Sequence, residues 1–212
     1  MQKNAVIVAG GSFPRREYPR YLLGRADIVI CCDGALSTLE KHGIVPDTVI
    51  GDLDSVCGRA LRRYKGTVVK CTDQETNDLT KAFNYLLATC EDLESIYIIG
   101  ATGLREDHTI ANLSLLMEYQ TECEKRGIRL EMVSDHSTAL ALTDSCALDV
   151  GKGRGVSIFS PDNTLEIRSE GLEWPTDGVV FDNWWKASLN RASEDRITLK
   201  FNHPSKVLII LD

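Results

Sequence analysis

Four aspartates in three short segments are the residues of this chain best suited to chemistry. Asp33 lies in ICCDGAL, Asp52 and Asp54 lie in VIGDLDS, and Asp78 lies in DQETNDLTKAF. Each follows a short apolar run typical of a β-strand or begins the helix after it, and in an alternating α/β chain such positions meet at one edge of the sheet. Carboxylates gathered there repel one another unless a cation lies between them, and Mg²⁺ commonly bridges a few carboxylates to substrate phosphates. We therefore predict a magnesium site formed by these four aspartates and a phosphorylated substrate.

The GDLDS segment carries two of these carboxylates at positions i and i+2. In an extended segment such positions project to the same side, so Asp52 and Asp54 are expected to face one cation while Leu53 points into the core. Gly51 is expected to let the backbone approach a ligand closely. The alternative is a polar turn with two solvated aspartates, because D-x-D sequences are common.

The other two aspartates are each predicted beside a helix N-terminus. Asp33 precedes Gly34 and a helix, where free amides suit phosphate oxygens, although an aspartate is also a good helix cap. Asp78 and Lys81 share one face of the next helix and pair a metal-seeking carboxylate with a phosphate-seeking ammonium. The alternative there is an exposed salt bridge of little energetic value. Gln74, in the loop before that helix, is expected to contact substrate.

A fourth segment, GATGLREDHTIANL, is predicted to be a glycine-rich turn between a strand and a helix. Gly100 and Gly103 permit a tight loop around a phosphate. His108 and Asn112 are one helical turn apart, on the face opposite the apolar stripe. The alternative for His108 is a capping or supporting role.

Composition excludes several classes of protein. A net charge of -7 argues against non-specific nucleic-acid binding, and no apolar run approaches the ~18 residues of a membrane span. We read residues 4–10 as a strand and not as part of a targeting segment. Seven cysteines without a C-x-x-C pair predict free thiols in the cytoplasm. The sequence also lacks the G-x-x-x-x-G-K-[ST] motif of P-loop enzymes and the G-x-G-x-x-G motif of dinucleotide-binding proteins. The H-E-x-x-H motif of zinc hydrolases and the G-x-S-x-G nucleophile elbow are missing as well.

Hydrophobic patterning predicts two different halves. In residues 1–135, short β-branched runs alternate with helical stripes, one formed by Leu79, Ala82, Phe83, Leu86 and Leu87 and one by Ile110, Leu113, Leu116 and Met117. This pattern predicts a Rossmann-like, three-layer α/β/α domain with a mostly parallel sheet. In residues 136–212, short strands separated by Gly, Pro, Asn and Asp turns predict a small all-β sandwich. We place the boundary near residues 134–138.

Taken together and in this order, CCDGAL, PDTVIGDLDS, DQETNDLTKAF, GATGLREDHTIANL and GLEWP resemble the thiamine pyrophosphokinase family over roughly residues 5–176. The resemblance implies transfer of a pyrophosphoryl group from ATP to the hydroxyl of thiamine, with release of AMP and with Mg²⁺ as cofactor. It also implies a homodimer whose active sites use both subunits, with the β-rich domain of one chain helping to bind thiamine on the other. A two-fold axis is the expected symmetry.

The resemblance assigns roles to residues of this sequence. Asp33, Asp52, Asp54 and Asp78 match aspartates that lie around magnesium and the triphosphate. As a hypothesis for the mechanism, we predict catalytic roles for Asp52, Asp54, Asp78 and Asp107, with either Asp78 or Asp107 accepting the hydroxyl proton. The ATP-binding residues are Asp33, Gly34, Lys81, Thr102, Gly103, Arg105, His108 and Asn112. The thiamine-binding residues are Gln74, Trp174, Ser188 and Asn190.

Two departures from the family pattern concern this assignment. Leu104 and Glu106 replace a glycine and a hydrophobic residue that are common in the glycine-rich motif. The Ser-Asn pair of the family's β-rich domain is matched here by Ser188-Leu189-Asn190, which is offset or substituted relative to that pair. Trp184 and Trp185 are further candidates for stacking on a thiamine ring, or for packing in a core or interface.

Two other functions fit the same residues. One is a different magnesium-dependent kinase or phosphohydrolase that acts on a related heterocyclic alcohol or a nucleotide. The other is a non-catalytic module that binds a nucleotide or thiamine. The presence of all four aspartates argues against the second, because a sensor has no need of a metal centre.

Overall fold

The computed structural model describes residues 2–54, 56 and 58–212. They form two compact units. The first comprises the described residues up to Leu115 together with Arg126–Asp135, and the second comprises Leu116–Lys125 and His136–Asp212. The predicted fold class, α/β with a mostly parallel sheet followed by a β-rich part, is confirmed. None of the helices in the described part of the chain is long and apolar enough to cross a bilayer.

The first unit is built on parallel strands. They are β1 (Lys3–Val8), β2 (Ile28–Cys32), β3 (Thr48–Gly51), β4 (Thr67–Lys70), β5 (Leu93–Ile99) and β6 (Arg129–Val133). Their spatial order is β6-β5-β1-β2-β3-β4, and each neighbouring pair is parallel. The chain thus starts in the middle, runs outward to β4 and returns to the other side of β1. The connections leaving β1 and β5 diverge at this change of direction, which is where open α/β sheets bind ligands.

Helices connect these strands. They are α1 (Glu17–Gly24), α2 (Leu36–Lys41), α3 (Gly58–Arg63), α4 (Asp78–Thr89) and α5 (Glu106–Arg126), and a 3-10 turn over Asp33–Ala35 precedes α2. The predicted apolar stripe of α4 is buried along its whole length. In α5 the prediction holds for Leu116 and Met117 but is wrong for Ile110, which is 55% exposed. Helical spacing shows which face is apolar but not how far that face is covered.

The second unit contains antiparallel strands. They are β7 (Thr138–Leu142), β8 (Cys146–Asp149), β9 (Gly155–Phe159), β10 (Ile167–Glu170), β11 (Asn190–Arg191), β12 (Arg196–Phe201) and β13 (Val207–Leu211). One group has the order β11-β9-β13-β7 and the other has the order β10-β12-β8. Alternate residues such as Val156 and Ile158 of β9 and Ile197 and Leu199 of β12 fill one apolar core. Each such side chain contributes about 1.5–3 kcal/mol through burial.

Candidate functional site

A cavity of about 440 Å³ opens in the first unit where β1, β2 and β5 end. Most of the predicted ATP and metal residues line it, namely Asp33, Gly34, Asp52, Asp78, Lys81, Thr102, Arg105, His108 and Asn112. Gln74, which was predicted to bind thiamine, lines it as well. Residues from four separate segments of the sequence therefore meet at one place. Asp54, Gly103 and Asp107 were also predicted for this site but are not among the residues that line the cavity.

Three carboxylates form a group suited to a cation. One oxygen from each of Asp33, Asp52 and Asp54 lies within 4.8 Å of the others. Asp78, the fourth predicted metal residue, is not part of this group among the described residues. Its Oδ1 instead accepts a hydrogen bond from Lys81 Nζ at 3.1 Å. The sequence therefore located the four carboxylates in one region but did not separate the cluster of three from the ion pair.

The sequence analysis predicted an extended backbone in the GDLDS segment. The described residues of that segment, 51–54, turn sharply instead. Leu53 has φ of 68°, a left-handed conformation that a branched residue rarely adopts. Its N–H donates to Asp33 Oδ2 at 3.0 Å, and the N–H of Asp54 donates to Asp52 Oδ1 at 3.2 Å. Leu53 packs against the core, as expected. The turn, and not strand alternation, brings Asp52 and Asp54 together, and it holds local strain at a candidate functional site.

Gly51 is required for a different reason from the predicted one. A Cβ at this position would lie 2.8 Å from Cβ and 2.9 Å from Cγ of Asp33. No side chain fits there without moving that aspartate. The glycine therefore makes room for a protein carboxylate and not directly for a ligand.

Asp33 is electrostatically unusual. It is only 2% exposed. Burial, followed by the nearby charge of Asp78, raises its pKa to about 6, although N–H donors from Gly34 and Leu53 oppose this rise. In contrast, the hydrogen bond from the N–H of Asp54 lowers the pKa of Asp52. A divalent cation beside Asp33 would relieve the cost of its buried charge, so the oxygen donors present fit Mg²⁺.

The N-terminus of α4 presents the second charged pair of the cavity. Asn77 caps the helix by accepting a hydrogen bond from the N–H of Thr80 at 2.9 Å. The Lys81 side chain is 5% exposed, and that of Asp78 is 31% exposed. Burial lowers the pKa of Lys81, but the hydrogen bond and charge of Asp78 outweigh it and raise the pKa above its ordinary value. Lys81 therefore remains a cation directed into the cavity region, suited to a phosphate.

The glycine-rich loop after β5 is held by a segment that the sequence analysis did not assign to the site. Gly11 N–H donates to the carbonyl of Gly100 at 2.6 Å, and Ser12 N–H donates to that of Thr102 at 2.8 Å. A Cβ on Gly11 would lie 2.5 Å from the Gly100 oxygen. Gly10 and Gly11 themselves line the cavity. The sequence feature that could have assigned this segment to the site is the pair of consecutive glycines directly after β1.

Arg105 and Asp107 form an exposed pair at this loop. Arg105 Nε donates to Asp107 Oδ1 at 3.0 Å, and a second hydrogen bond joins Nη2 to Oδ2. The hydrogen bonds from Arg105 lower the pKa of Asp107 to about 2. Arg105 lines the cavity but Asp107 does not. This arrangement suits Asp107 to orienting Arg105 and not to accepting a proton from a substrate in the cavity.

The second unit has its own cleft, of about 360 Å³, and all three of its predicted thiamine residues line it, namely Trp174, Ser188 and Asn190. The amide of Asn190 is occupied with the backbone of Trp174, accepting its N–H at 3.2 Å and donating to its carbonyl at 2.6 Å. Leu189, which lies between Ser188 and Asn190, has φ of 58° and is 85% exposed. Trp174 is 59% exposed and Trp185 is 69% exposed. The cleft therefore presents aromatic and apolar surface, with Asn190 fixing the Trp174 segment.

Comparison with known proteins gives consistent matches. Residues 19–128 match the family described as "Thiamin pyrophosphokinase, catalytic domain", and residues 139–209 match "Thiamin pyrophosphokinase, substrate-binding domain". Thiamine pyrophosphokinase 1 of Oryza sativa subsp. japonica is 25% identical over 204 residues, with 82% of this chain and 74% of that protein covered. Thiamine pyrophosphokinase of Bacillus subtilis is 34% identical over 121 residues, which are 54% of each chain.

Solved structures share the fold. A thiamine pyrophosphokinase from Bacillus subtilis superposes with a TM-score of 0.78 at 22% identity and covers 99% of both chains. A thiamin pyrophosphokinase from Candida albicans also gives a TM-score of 0.78, at 16% identity, and covers 99% of this chain and 88% of its own.

Proposed function

We propose that this chain, which belongs to the thiamin pyrophosphokinase family, transfers the pyrophosphoryl group of ATP to the hydroxyl of thiamine and releases AMP. The observation that carries this proposal is the cavity at the ends of β1, β2 and β5. It is lined by two members of the carboxylate cluster, Asp33 and Asp52, by the buried Lys81 and by residues of the glycine-rich loop. These are the parts that phosphoryl-type transfer requires, because positioning and charge neutralisation dominate its catalysis.

The proposed metal ligands are Asp33, Asp52 and Asp54, whose oxygens lie within 4.8 Å of one another. Magnesium bound there would supply charge neutralisation for the phosphates and align them for attack. Asp33 supports this assignment most strongly, since its carboxylate is buried and has a raised pKa. The two aspartates of the Leu53 turn would complete the ligand set from a more exposed position.

The proposed nucleotide contacts come from both sides of the cavity. Lys81 would bind a phosphate oxygen as a point charge, and Arg105 would bind another through its planar guanidinium. Thr102, Gly103 and His108 would contact the nucleotide from the glycine-rich loop and the start of α5. Thr102, Arg105 and His108 line the cavity.

In the proposed reaction the thiamine hydroxyl oxygen forms a bond to the β-phosphorus of ATP. The bond between that phosphorus and the oxygen bridging to the α-phosphorus breaks, and AMP leaves with that oxygen. Asp78 accepts the hydroxyl proton in this scheme. We assign this role to Asp78 and not to Asp107, because Asp78 lines the cavity whereas Asp107 is bound to Arg105 outside it.

For thiamine itself we propose two sets of contacts. Gln74 lines the main cavity beside the metal ligands, and the hydrogen bond it makes to Asp52 helps to lower the pKa of that carboxyl. Trp174, Ser188 and Asn190 belong to the cleft of the second unit. In the proposed homodimer this cleft serves the active site of the partner subunit. Replacing Trp174 with alanine is then expected to raise KM for thiamine and leave KM for ATP unchanged.

We also propose that the protein works in the cytoplasm. The cysteines in the described part of the chain, which excludes Cys57, form no disulfide bond, as expected in a reducing compartment.

The test is product analysis with ATP, thiamine and Mg²⁺. The proposal predicts thiamine diphosphate and AMP in equal amounts. It also predicts loss of turnover by orders of magnitude in Asp52→Asn, with normal turnover in Asp92→Asn. Asp92 is a suitable control because it is exposed and directly precedes β5, at the opposite end of the strand from the cavity. Thiamine monophosphate with ADP would identify an ordinary kinase, and ATP binding without any product would identify a binding module.

A further inference from the structure

The two sides of the cavity are joined by a chain of amide hydrogen bonds through Asn112. Asn112 Nδ2 donates to the carbonyl of Ala101 at 2.8 Å, and Asn112 Oδ1 accepts from Asn77 Nδ2 at 3.2 Å. Asn112 is only 7% exposed. We refer to Asn77, Asn112 and the Ala101 carbonyl as the amide relay. It links the N-terminus of α4 to the glycine-rich loop after β5, two segments more than 20 residues apart in sequence.

The orientation of every group in the relay is fixed by its partners. Asn77 Oδ1 accepts from both the N–H and the hydroxyl of Thr80, at 2.9 and 3.0 Å, so its NH₂ group is the one that faces Asn112. The carbonyl of Ala101 can only accept a hydrogen bond, so Asn112 must present its own NH₂ group to it. Rotating the Asn112 amide would place two acceptors together at Ala101 and two donors together at Asn77.

The relay lies between the charged groups of the proposed reaction. Asn77 immediately precedes Asp78, and Lys81 is one helical turn further along α4. Ala101 immediately precedes Thr102 in the glycine-rich loop. A phosphate chain held by both segments requires a fixed distance between them, and small errors in such spacing are costly to catalysis.

We infer that Asn112 and Asn77 are positioning residues that set the separation of α4 from the glycine-rich loop. This inference rests on the proposed function and changes the role predicted for Asn112 from a nucleotide contact to an internal brace. The side chain acts through Ala101 and Asn77, and the groups that meet the nucleotide are those that the relay holds.

The test uses Asn77→Asp, which keeps the helix cap because aspartate caps as well as asparagine. The new carboxylate oxygen faces Asn112 Oδ1, so the relay breaks while the cap remains. The expected result is a fall in kcat/KM for ATP of roughly 10- to 100-fold, with KM for thiamine unchanged. Asn77→Ser keeps a capping oxygen but lacks the side-chain NH₂ group that reaches Asn112 Oδ1, and it is expected to behave like Asn77→Asp. Asn84→Asp, the same change at an exposed position of α4, serves as the matched control.

A second measurement does not depend on activity. Hydrogen exchange followed by mass spectrometry is expected to show faster exchange in peptides covering residues 100–104 of Asn77→Asp, with α4 still protected. Unchanged exchange in that loop would overturn the inference, as would equal ATP kinetics in Asn77→Asp and Asn84→Asp. An inactive wild-type protein would instead count against the proposed function, and the loop exchange would still decide the role of the relay.

Discussion

Replacing Asp33 with asparagine is expected to stabilise the metal-free protein while abolishing its turnover. The carboxylate is 2% exposed, and in the described structure its neighbours include the like charges of Asp52 and Asp78. The rise of its pKa from 3.8 to about 6 corresponds to about 3 kcal/mol of cost for its charged form at neutral pH. The cavity is open to solvent on one side, and screening reduces this figure.

A further reduction comes from hydrogen bonding. The Asp33 carboxylate accepts N–H donors from Gly34 and Leu53, whereas asparagine offers one acceptor and places an NH₂ group near the other donor. That mismatch costs about 1 kcal/mol. We therefore expect a net gain of ~1–2 kcal/mol in the free energy of unfolding of Asp33→Asn above about pH 6.

The pH dependence has a definite sign. The folded-state pKa of Asp33 lies above its unfolded value, so between these values the folded protein holds more protons than the unfolded chain. The loss of folding free energy caused by the charge of Asp33 is absent below about pH 4, grows as pH rises to about 6 and is constant above that. The advantage of Asp33→Asn is therefore expected at pH 7.5 and should vanish near pH 4.

Urea denaturation in the presence of EDTA at these two pH values measures the effect. Asp52→Asn is the control, because hydrogen bonding lowers the pKa of Asp52 overall and neutralising that residue therefore relieves no net cost of its charge. Added Mg²⁺ should reverse the order by stabilising the wild type. If Asp33→Asn is less stable than the wild type at pH 7.5 without metal, the electrostatic reasoning is wrong.

Three further changes test other parts of the account. Gly51→Ala should reduce turnover at least tenfold, because its Cβ would lie 2.8 Å from the side chain of Asp33, a proposed metal ligand. Gly24→Ala, where a Cβ meets nothing within 4 Å, should leave initial rates unchanged. Lys81→Met should raise KM for ATP by about 30-fold or more, because it removes the buried cation that is proposed to bind a phosphate. An unchanged KM would exclude a phosphate contact. Asp162→Asn should lower the melting temperature at pH 7 and should lower it by a smaller amount near pH 3. Hydrogen bonds from Thr164, and then from His203, hold the pKa of Asp162 well below its usual range. The stabilising effect of the ionised carboxylate is therefore lost as pH falls through that low value. An equal loss of melting temperature at both pH values would contradict this.

The parts of the fold that depend on local patterns were predictable from the sequence. Short β-branched runs predicted the strands β1–β6, and the helical spacing from Leu79 to Leu87 predicted the buried face of α4. The end of each strand also located Asp33 and Asp52 at one edge of the sheet. The short helices α1 and α3 were not predicted, since a helix of two turns has too few residues to display a period.

The geometry of the site was less predictable because it depends on distant partners. Nothing in the residue type of Leu53 indicates a left-handed backbone, which the hydrogen bond to Asp33 and packing against the core impose. The need for a glycine at position 51 could not be predicted either, because the carboxylate that it accommodates, that of Asp33, is 18 residues away in the sequence. Asn112 looked like a ligand contact, and its two amide bonds became visible only in three dimensions.

The most direct test of the central claim is the fate of a radiolabel at the β-phosphorus of ATP during turnover with thiamine and Mg²⁺. Direct pyrophosphoryl transfer moves the β- and γ-phosphates together, so the account predicts that the label appears in thiamine diphosphate while AMP is unlabelled. Two successive transfers of the γ-phosphate would leave the label in ADP. Label in ADP, with thiamine phosphates unlabelled, would contradict the account.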